Sequence, residues 1–217
     1  MSTEEEDKQT SNSGEGATAS GVVPAASSTL DESFVKHPLN NFWALWFFRN
    51  DKSRSWVDNL KFIAEVGAVE DFWGLYNHVQ PVSGLPSICD YSFFKKGIEP
   101  MWEDKQNVQG GRWLLQTPKV SRDRNLDSYW LELLLLLVGE GFGEDSDDVC
   151  GAVVQVRNKG DKLAIWTRDF QNKDSVVRIG KIFKAALRLP ADALIGYQAH
   201  RDTSTKTSSM SKNLYTV

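Results

Sequence analysis

Cysteine is nearly missing from this sequence. Two in 217 residues, Cys89 and Cys150, cannot build a disulfide framework, and with no C-x-x-C pair they make no zinc site of that kind. So few thiols fit a reducing compartment. Long apolar runs are missing too. The longest, residues 133–138 and their flanks, falls short of the ~20 residues that a membrane-spanning helix requires. Residues 1–8 are acidic, without an apolar stretch, and do not read as a secretory signal. Histidine occurs only at His37, His78 and His200, none with an evident partner. Glu103 and Asp104 are merely adjacent, while Asp145, Asp147 and Asp148 share a turn before a strand. Neither grouping has the spacing of a metal site or of a base with its nucleophile. The expectation is a soluble, intracellular protein that is not an enzyme and carries no cofactor, catalytic residue or metal.

Aromatic residues are absent from positions 1–33, which are rich in Ser, Thr, Gly, Ala and acids. Such a segment cannot bury enough apolar surface to offset its ordering entropy and is expected to be a disordered acidic tail. It holds seven acids and one base, a net of −6, so the chain total of −4 leaves residues 34–217 at +2. The isoelectric point near 5.5 argues against a ligand held through phosphates only until the tail is set aside.

What is abundant is tryptophan: eight, at positions 43, 46, 56, 73, 102, 113, 130 and 166. They sit in a repeating pattern. Residues 42–48 form an apolar, aromatic run that predicts a strand covered on both faces, with residues 60–66 as its partner. Val69, Phe72, Trp73 and Tyr76 fall at helical spacing. Residues 91–94 and 112–116 predict a second strand pair, followed by a helix over 126–140 capped by Asn125 or Asp127. Residues 149–157 and 163–167 predict a third hairpin, closed by Asn158-Lys159-Gly160-Asp161. A helix over 174–187 carries Val176, Ile179, Phe183 and Leu187 on one stripe, and residues 194–198 form a last strand. Hairpins favour antiparallel pairing, so the pattern predicts an α+β fold, one antiparallel sheet with helices on one face.

Trp43, Trp46, Trp113 and Trp130 lie inside apolar runs and are expected in the core. Trp56 and Trp102 stand in polar connections, each after the first strand of a pair, which predicts that they project from the same end of the sheet. Two such residues form either lids over the core or the walls of a stacking slot. In the third hairpin a four-residue turn would set Arg157 opposite Lys162, placing Gln155, Arg157, Lys162, Ala164 and Trp166 on one face. Such a face is a solubilising hairpin tip, or, beside two loop tryptophans, a track for a flat base carrying phosphates. Glu103 beside Trp102 would accept from the N–H edge of guanine while Arg157 and Lys162 hold phosphate. On the helix over 126–140, Trp130, Leu133, Leu134 and Leu137 make one apolar stripe and Leu131, Leu135 and Val138 another. A helix apolar nearly all round is either fully buried or offers one face to a partner, and Val69 and Trp73 could extend such a patch.

These residues resemble a known family. His37-Pro38-Leu39, Trp43-Ala44-Leu45-Trp46-Phe47-Phe48, Val69-Glu70-Asp71-Phe72-Trp73, Gly97-Ile98-Glu99-Pro100-Met101-Trp102-Glu103-Asp104, Gly110-Gly111-Arg112-Trp113 and Lys159-Gly160-Asp161-Lys162 are similar to segments of the eukaryotic translation initiation factor 4E family, which binds the 7-methylguanosine cap of mRNA. The similarity runs from about residue 36 to the carboxyl end and includes all eight tryptophans. It implies a single curved antiparallel sheet with three helices on its convex face and the cap slot on the concave side, a cap-binding domain over 34–217 with a mobile loop at about 200–212. By the same resemblance Trp56 and Trp102 sandwich the methylated base, Glu103 takes its N1 and N2 hydrogens and Trp166 touches the N7-methyl group. Arg112, Arg157 and Lys162 hold the triphosphate, with Lys159 at the rim. Thr205 and Lys206 match positions near the following nucleotide, and Ser209 a regulatory phosphorylation site, where phosphate would repel RNA or pair with Lys159.

A second surface is implied as well. His37, Pro38, Val69, Trp73, Leu131, Glu132 and Leu135 correspond to the docking site for an amphipathic helix with a Tyr-x-x-x-x-Leu-apolar motif, carried by the 4G-type scaffold and by 4E-binding repressors. The implied partners are capped mRNA and these proteins, with no membrane, for a chain monomeric alone and cytoplasmic, with the nucleus and RNA granules as further locations. The alternatives are a cap-binding repressor that does not recruit the scaffold and a cap-processing hydrolase. Repressor relatives tend to lose tryptophan at the positions of Trp43 and Trp56, both kept here. Gln155 stands where the family has Asn, residues 118–124 are unlike familiar members, and the surroundings of Ser209 have diverged.

Overall fold

The computed structural model describes residues 35–204 and 213–217; the expectations for the 1–33 tail, for 205–212, and for Thr205, Lys206 and Ser209 lie outside them. Eight strands form one antiparallel sheet in the order β2-β1-β3-β5-β6-β4-β7-β8. They are β1 (Pro38–Arg49), β2 (Leu60–Ala68), β3 (Cys89–Lys95), β4 (Gly111–Thr117), β5 (Val149–Gln155), β6 (Asp161–Thr167), β7 (Gly196–Ala199) and β8 (Tyr215–Thr216). Alternation along each strand divides the side chains between two faces. Trp43 and Leu45 of β1, Tyr91 and Phe93 of β3, Trp113 of β4 and Ile165 of β6 share the main core with Phe72, Trp130, Leu133, Leu137, Val176, Ile179 and Phe183. The latter lie on α2 (Val69–His78), α3 (Asp127–Val138) and α4 (Lys173–Ala186), so the three longer helices cover one face. Phe94, Leu114, Val153, Ala164 and Trp166 cluster on the other. Two shorter helices, α1 (Trp56–Asn59) and α5 (His200–Ser204), follow β1 and β7. Among the described residues no helix is long and apolar enough to cross a membrane.

The helical face is drawn close by α4. Asn172 caps it by accepting from the Ser175 amide, and Val176, Ile179 and Phe183 repeat at core spacing. The helix rests on Trp113, whose Nε1 donates to the Val176 carbonyl at 2.7 Å, satisfying the one polar atom of a wholly buried ring. A Cβ at Gly180 would lie 2.4 Å from that ring, so only glycine permits the approach.

Several sequence expectations are corrected. β3 and β4 are not a hairpin pair: β3 pairs with β1 and β5, β4 with β6 and β7, and the later hairpin is inserted between them. Lys162 faces Gln155 rather than Arg157, because β5 ends before the turn; the displacement is two residues, so the face assignments survive. Trp46 is half-buried against Phe62, on the opposite side of β1 from Trp43. Neither Asn125 nor Asp127 caps α3 with its side chain. A turn of π-helix, Arg122–Leu126, runs directly into it, and the Asp127 carboxylate accepts from the Ser83 amide and hydroxyl at 2.8 and 2.5 Å. The chain at 200–204 begins as α5, and a short strand, β8, had no sequence signal.

Candidate functional site

Trp56 opens α1, which exists because Ser55 caps it: the Ser55 hydroxyl oxygen accepts from the Asp58 amide at 3.2 Å and its proton goes to the Asp58 carboxylate at 2.6 Å. Ser53 closes the preceding turn on Asp51 through its amide and hydroxyl, at 2.9 and 2.6 Å, and Asn59 Nδ2 donates to the Asp51 carbonyl at 2.8 Å. Phe48, at the end of β1, backs the Trp56 ring with centroids 5.7 Å apart. Trp102 is held differently. Asn107 is fully buried and its Nδ2 donates to the carbonyls of both Glu99 and Met101 at 2.8 Å. Asp104 accepts from the amides of Glu99 and Gln106 at 3.0 and 2.7 Å.

The two loops deliver Trp56 and Trp102, each 46% exposed, to one cavity of about 360 Å³ on the face that the helices leave open, lined also by Glu103, Arg112 and Trp166. Trp166 is buried, edge-on to Phe94 at 5.4 Å and against the His200 ring at 4.1 Å. Trp166 Nε1 and Arg112 Nε are buried without a partner among the described residues, two donors left for an acceptor. Burial pushes Arg112 down from its ordinary pKa. Burial, and then the charges of Arg112 and Arg157, push Lys162 down as well. Like charges desolvated together are relieved by an anion.

Arg157 reaches this group through Asp90. Both its Nη atoms meet the Asp90 carboxylate, Nη2 to Oδ2 at 2.9 Å, and Gln155 Nε2 donates to the same Oδ2 at 3.0 Å. Gln155 therefore acts on the arginine's anchor, whatever solvent contacts it makes. Lys159 is exposed in the turn, and of the four expected phosphate-binding cations Arg112 alone lines the cavity; Arg157, Lys159 and Lys162 lie outside its lining. That turn needs Gly160, at φ +145°, where a Cβ would meet the Thr117 carbonyl at 2.7 Å. It is braced by Asp161, wholly buried, which accepts from the Arg157 amide at 2.9 Å and from Arg122 at 2.7 and 2.6 Å.

Sequence reasoning missed Asp90, Asn107, Arg122 and His200. Asp90 carried a usable signal: a carboxylate near the start of a strand that is buried throughout requires a cation. His200 carried none. Burial, and then the Arg112 charge, push it down to about 3, so its ring is neutral at ordinary pH.

The expected second surface lies on the helix-covered side. The His37 amide and Nδ1 meet the Glu70 carboxylate at 2.9 and 2.6 Å, and these hydrogen bonds hold Glu70 down to about 2. The Val69 amide donates to the His37 carbonyl at 2.9 Å. His37 and Pro38 are thereby tied to the start of α2. On α3, Trp130, Leu133, Leu134 and Leu137 are buried, Leu131 is half-buried, and Glu132 and Leu135 are exposed. The helix is thus not buried all round. Val69, Trp73 and Leu135 remain 39, 38 and 37% exposed.

An open antiparallel sheet backed by helices, with a tryptophan-walled slot that holds Arg112 on the other face, defines an α+β ligand-binding domain. The sequence model of eukaryotic initiation factor 4E matches residues 38–215. The chain is 58% identical to eukaryotic translation initiation factor 4E-1A of Danio rerio over 86% of each chain. Among solved structures, Ascaris suum eIF4E-3 in complex with an m7G cap is 49% identical, with a TM-score of 0.79 over 84% of this chain and 98% of that one. Caenorhabditis elegans eIF4E-3, in complex with the 4E-binding protein Mextli and a cap analog, is 46% identical, with a TM-score of 0.78 over 84% of this chain and 100% of that one. The chain belongs to the eukaryotic initiation factor 4E family.

Proposed function

We propose that this chain binds the 7-methylguanosine cap of mRNA in the tryptophan slot, recruits a 4G-type scaffold for translation initiation through its helical face, and is regulated by 4E-binding repressors competing for that face. The observation that carries the reading is the slot itself: two half-exposed indoles, the Glu103 carboxylate beside one of them and the desolvated Arg112 on a single cavity. Trp56 and Trp102 sandwich the base, whose N7-methylation makes it cationic and adds a cation–π attraction of about 0.5–2 kcal/mol to ordinary stacking. Glu103 accepts from N1–H and N2–H, and Trp166 contacts the methyl group. Arg112 and Lys162, with Arg157 poised on Asp90 and Lys159 at the rim, neutralise the triphosphate. Thr205 and Lys206 attend the next nucleotide, and Ser209 is the regulatory phosphorylation site. His37, Pro38, Val69, Trp73, Leu131, Glu132 and Leu135 receive the partner helix, a short amphipathic segment whose aromatic anchor is buried on docking. No bond is made or broken in this account; the protein is a cytoplasmic binding factor, not an enzyme, and needs no cofactor or metal. Titrating the tryptophan fluorescence with m7GTP and with GTP tests it. Methylated ligand should bind more tightly by roughly 2- to 30-fold from the cation–π contribution alone. Equal affinity for the two would overturn the reading.

A further inference from the structure

We propose that the cleft behind the Trp56 connection is a second phosphate-binding site, which holds the backbone of the RNA beyond the cap; this rests on the cap-binding reading. The cleft, about 720 Å³, lies between the end of β1, the 50–59 connection, the start of β2 and Ile88. Four cations line it, Arg49, Lys52, Arg54 and Lys61, against two acids, Asp51 and Asp58. Both acids are engaged within the connection. Asp51 Oδ1 accepts from the Ser53 amide and hydroxyl, Asp51 Oδ2 lies 3.7 Å from Arg54 Nε, and Asp58 accepts from the Ser55 hydroxyl. Arg49, Lys52 and Lys61 have no carboxylate at salt-bridge distance among the described residues. Cations left unpaired in a concavity raise the local concentration of anions.

The sheet order says which anion. Phe47 pairs with Lys61, Arg49 with Cys89, Asp90 with Gln155 and Gln155 with Lys162, so Lys61 of β2, Arg49 of β1, Lys162 of β6 and Arg157, just past the end of β5, gather at one end of the sheet. β1 and β5 are separated only by β3, about 10 Å at the usual strand spacing. Burial pushes the intervening Cys89 thiol up, and the guanidinium groups of Arg49 and Arg157, flanking it, pull the other way. A row of positive charge thus continues from the triphosphate group of residues around the strand ends to the cleft, where Phe47 and Ile88 supply apolar wall. Cations with apolar surface are what a single-stranded backbone and its bases use. A capped RNA held in the slot also brings its own chain to this edge at high effective concentration, so contacts weak in isolation count. An acidic protein segment lacks that tether.

The test compares the wild type with Arg49→Gln/Lys52→Gln/Lys61→Gln, three exposed positions outside the proposed cap contacts. Each is titrated with m7GTP and with a capped RNA of about 12 nucleotides, between about 50 and 200 mM salt. The variant should bind m7GTP as the wild type does. For capped RNA its slope of log affinity against log salt should be shallower by about 2, so that the wild type loses roughly 15-fold more affinity across that range. Unchanged affinity and slope for capped RNA, with m7GTP still bound, would sink the second site alone. Failure of the wild type to bind m7GTP would instead remove the cap reading beneath it. Displacement of capped RNA from the m7GTP-competent protein by oligoglutamate, without any change of salt slope in the variant, would also overturn the proposal, in favour of an acidic protein segment.

Discussion

The slot and the helical face expose aromatic surface to a similar degree, 46% for Trp56 and Trp102 against 38% for Trp73, yet they present different chemistry. The slot tryptophans stand in braced loops and share their cavity with Arg112 and with Asp90, which anchors Arg157. Trp73 projects from a regular helix, edge-on to Phe72 and Tyr76, with apolar Val69 and Leu135 exposed on the same side of the sheet. An exposed tryptophan is therefore only half an observation. The groups around it decide whether it suits a charged, flat ligand or the apolar stripe of a helix.

The contrast assumes two separable faces, and the place to break it is where they are joined. Arg122 lies in the π-helical turn that runs into α3, while its fork rests on Asp161 in the turn beside the slot cations. Arg122→Met should leave the Asp161 carboxylate buried and unpaired, lowering stability by about 3–5 kcal/mol in a urea melt. A loss under about 1 kcal/mol would show that water reaches Asp161 readily. Next in size is Trp102→Ala or Trp56→Ala. Removing one stacking wall should weaken m7GTP binding by about 2–4 kcal/mol, enough to abolish retention on a cap resin, and leave helix-peptide binding intact. Trp73→Ala should do the reverse, with m7GTP affinity unchanged and a Tyr-x-x-x-x-Leu-apolar peptide weakened by about 2 kcal/mol in a calorimetric titration. If all three tryptophan variants were retained equally on the resin, the two-face description would fail.

The smallest effect concerns His200, behind Trp166. Its unfolded pKa is near 6.5 and its folded value is pushed down to about 3, so the unfolded chain takes up a proton that the folded one refuses. The contribution of the neutral ring is fully present above about pH 6.5 and is lost as pH falls. About 1 kcal/mol should be gone by pH 6, and the loss should continue toward pH 3. Melts at pH 8, 7 and 6 with His200→Asn as reference would reveal it; parallel curves for the two proteins would refute it.

Much of this is legible in the sequence. Period-two alternation placed Gln155, Lys162 and Trp166 on one face although the register was misjudged, because an error of two residues preserves parity. Polar neighbours correctly marked Trp56 and Trp102 as different in kind from Trp43 and Trp113. Trp46 defeated the same reasoning, since an apolar strand covered on both faces gives no local sign of which side is thinly covered. The bracing of the slot was hidden for another reason. Asn107 bonds to carbonyls six and eight residues away, Arg157 meets Asp90 across 67 positions, and Arg122 meets Asp161 across 39. No window of local pattern spans the two ion pairs, and the Asn107 bonds close an irregular loop that has no period to betray them.

The charge balance, the tryptophan surplus and the strand and helix periods belong to the sequence alone, because the first two are sums over composition and the periods depend on residues within a few positions of one another. The order of the sheet does not. Whether β3 lies beside β4 or admits β5 and β6 between them is settled by burying apolar faces against helices far along the chain. That insertion sets Asp90 beside Arg157 and gathers Arg49, Lys61, Arg157 and Lys162 at one end of the sheet, and so only the tertiary structure turned scattered basic residues into a site.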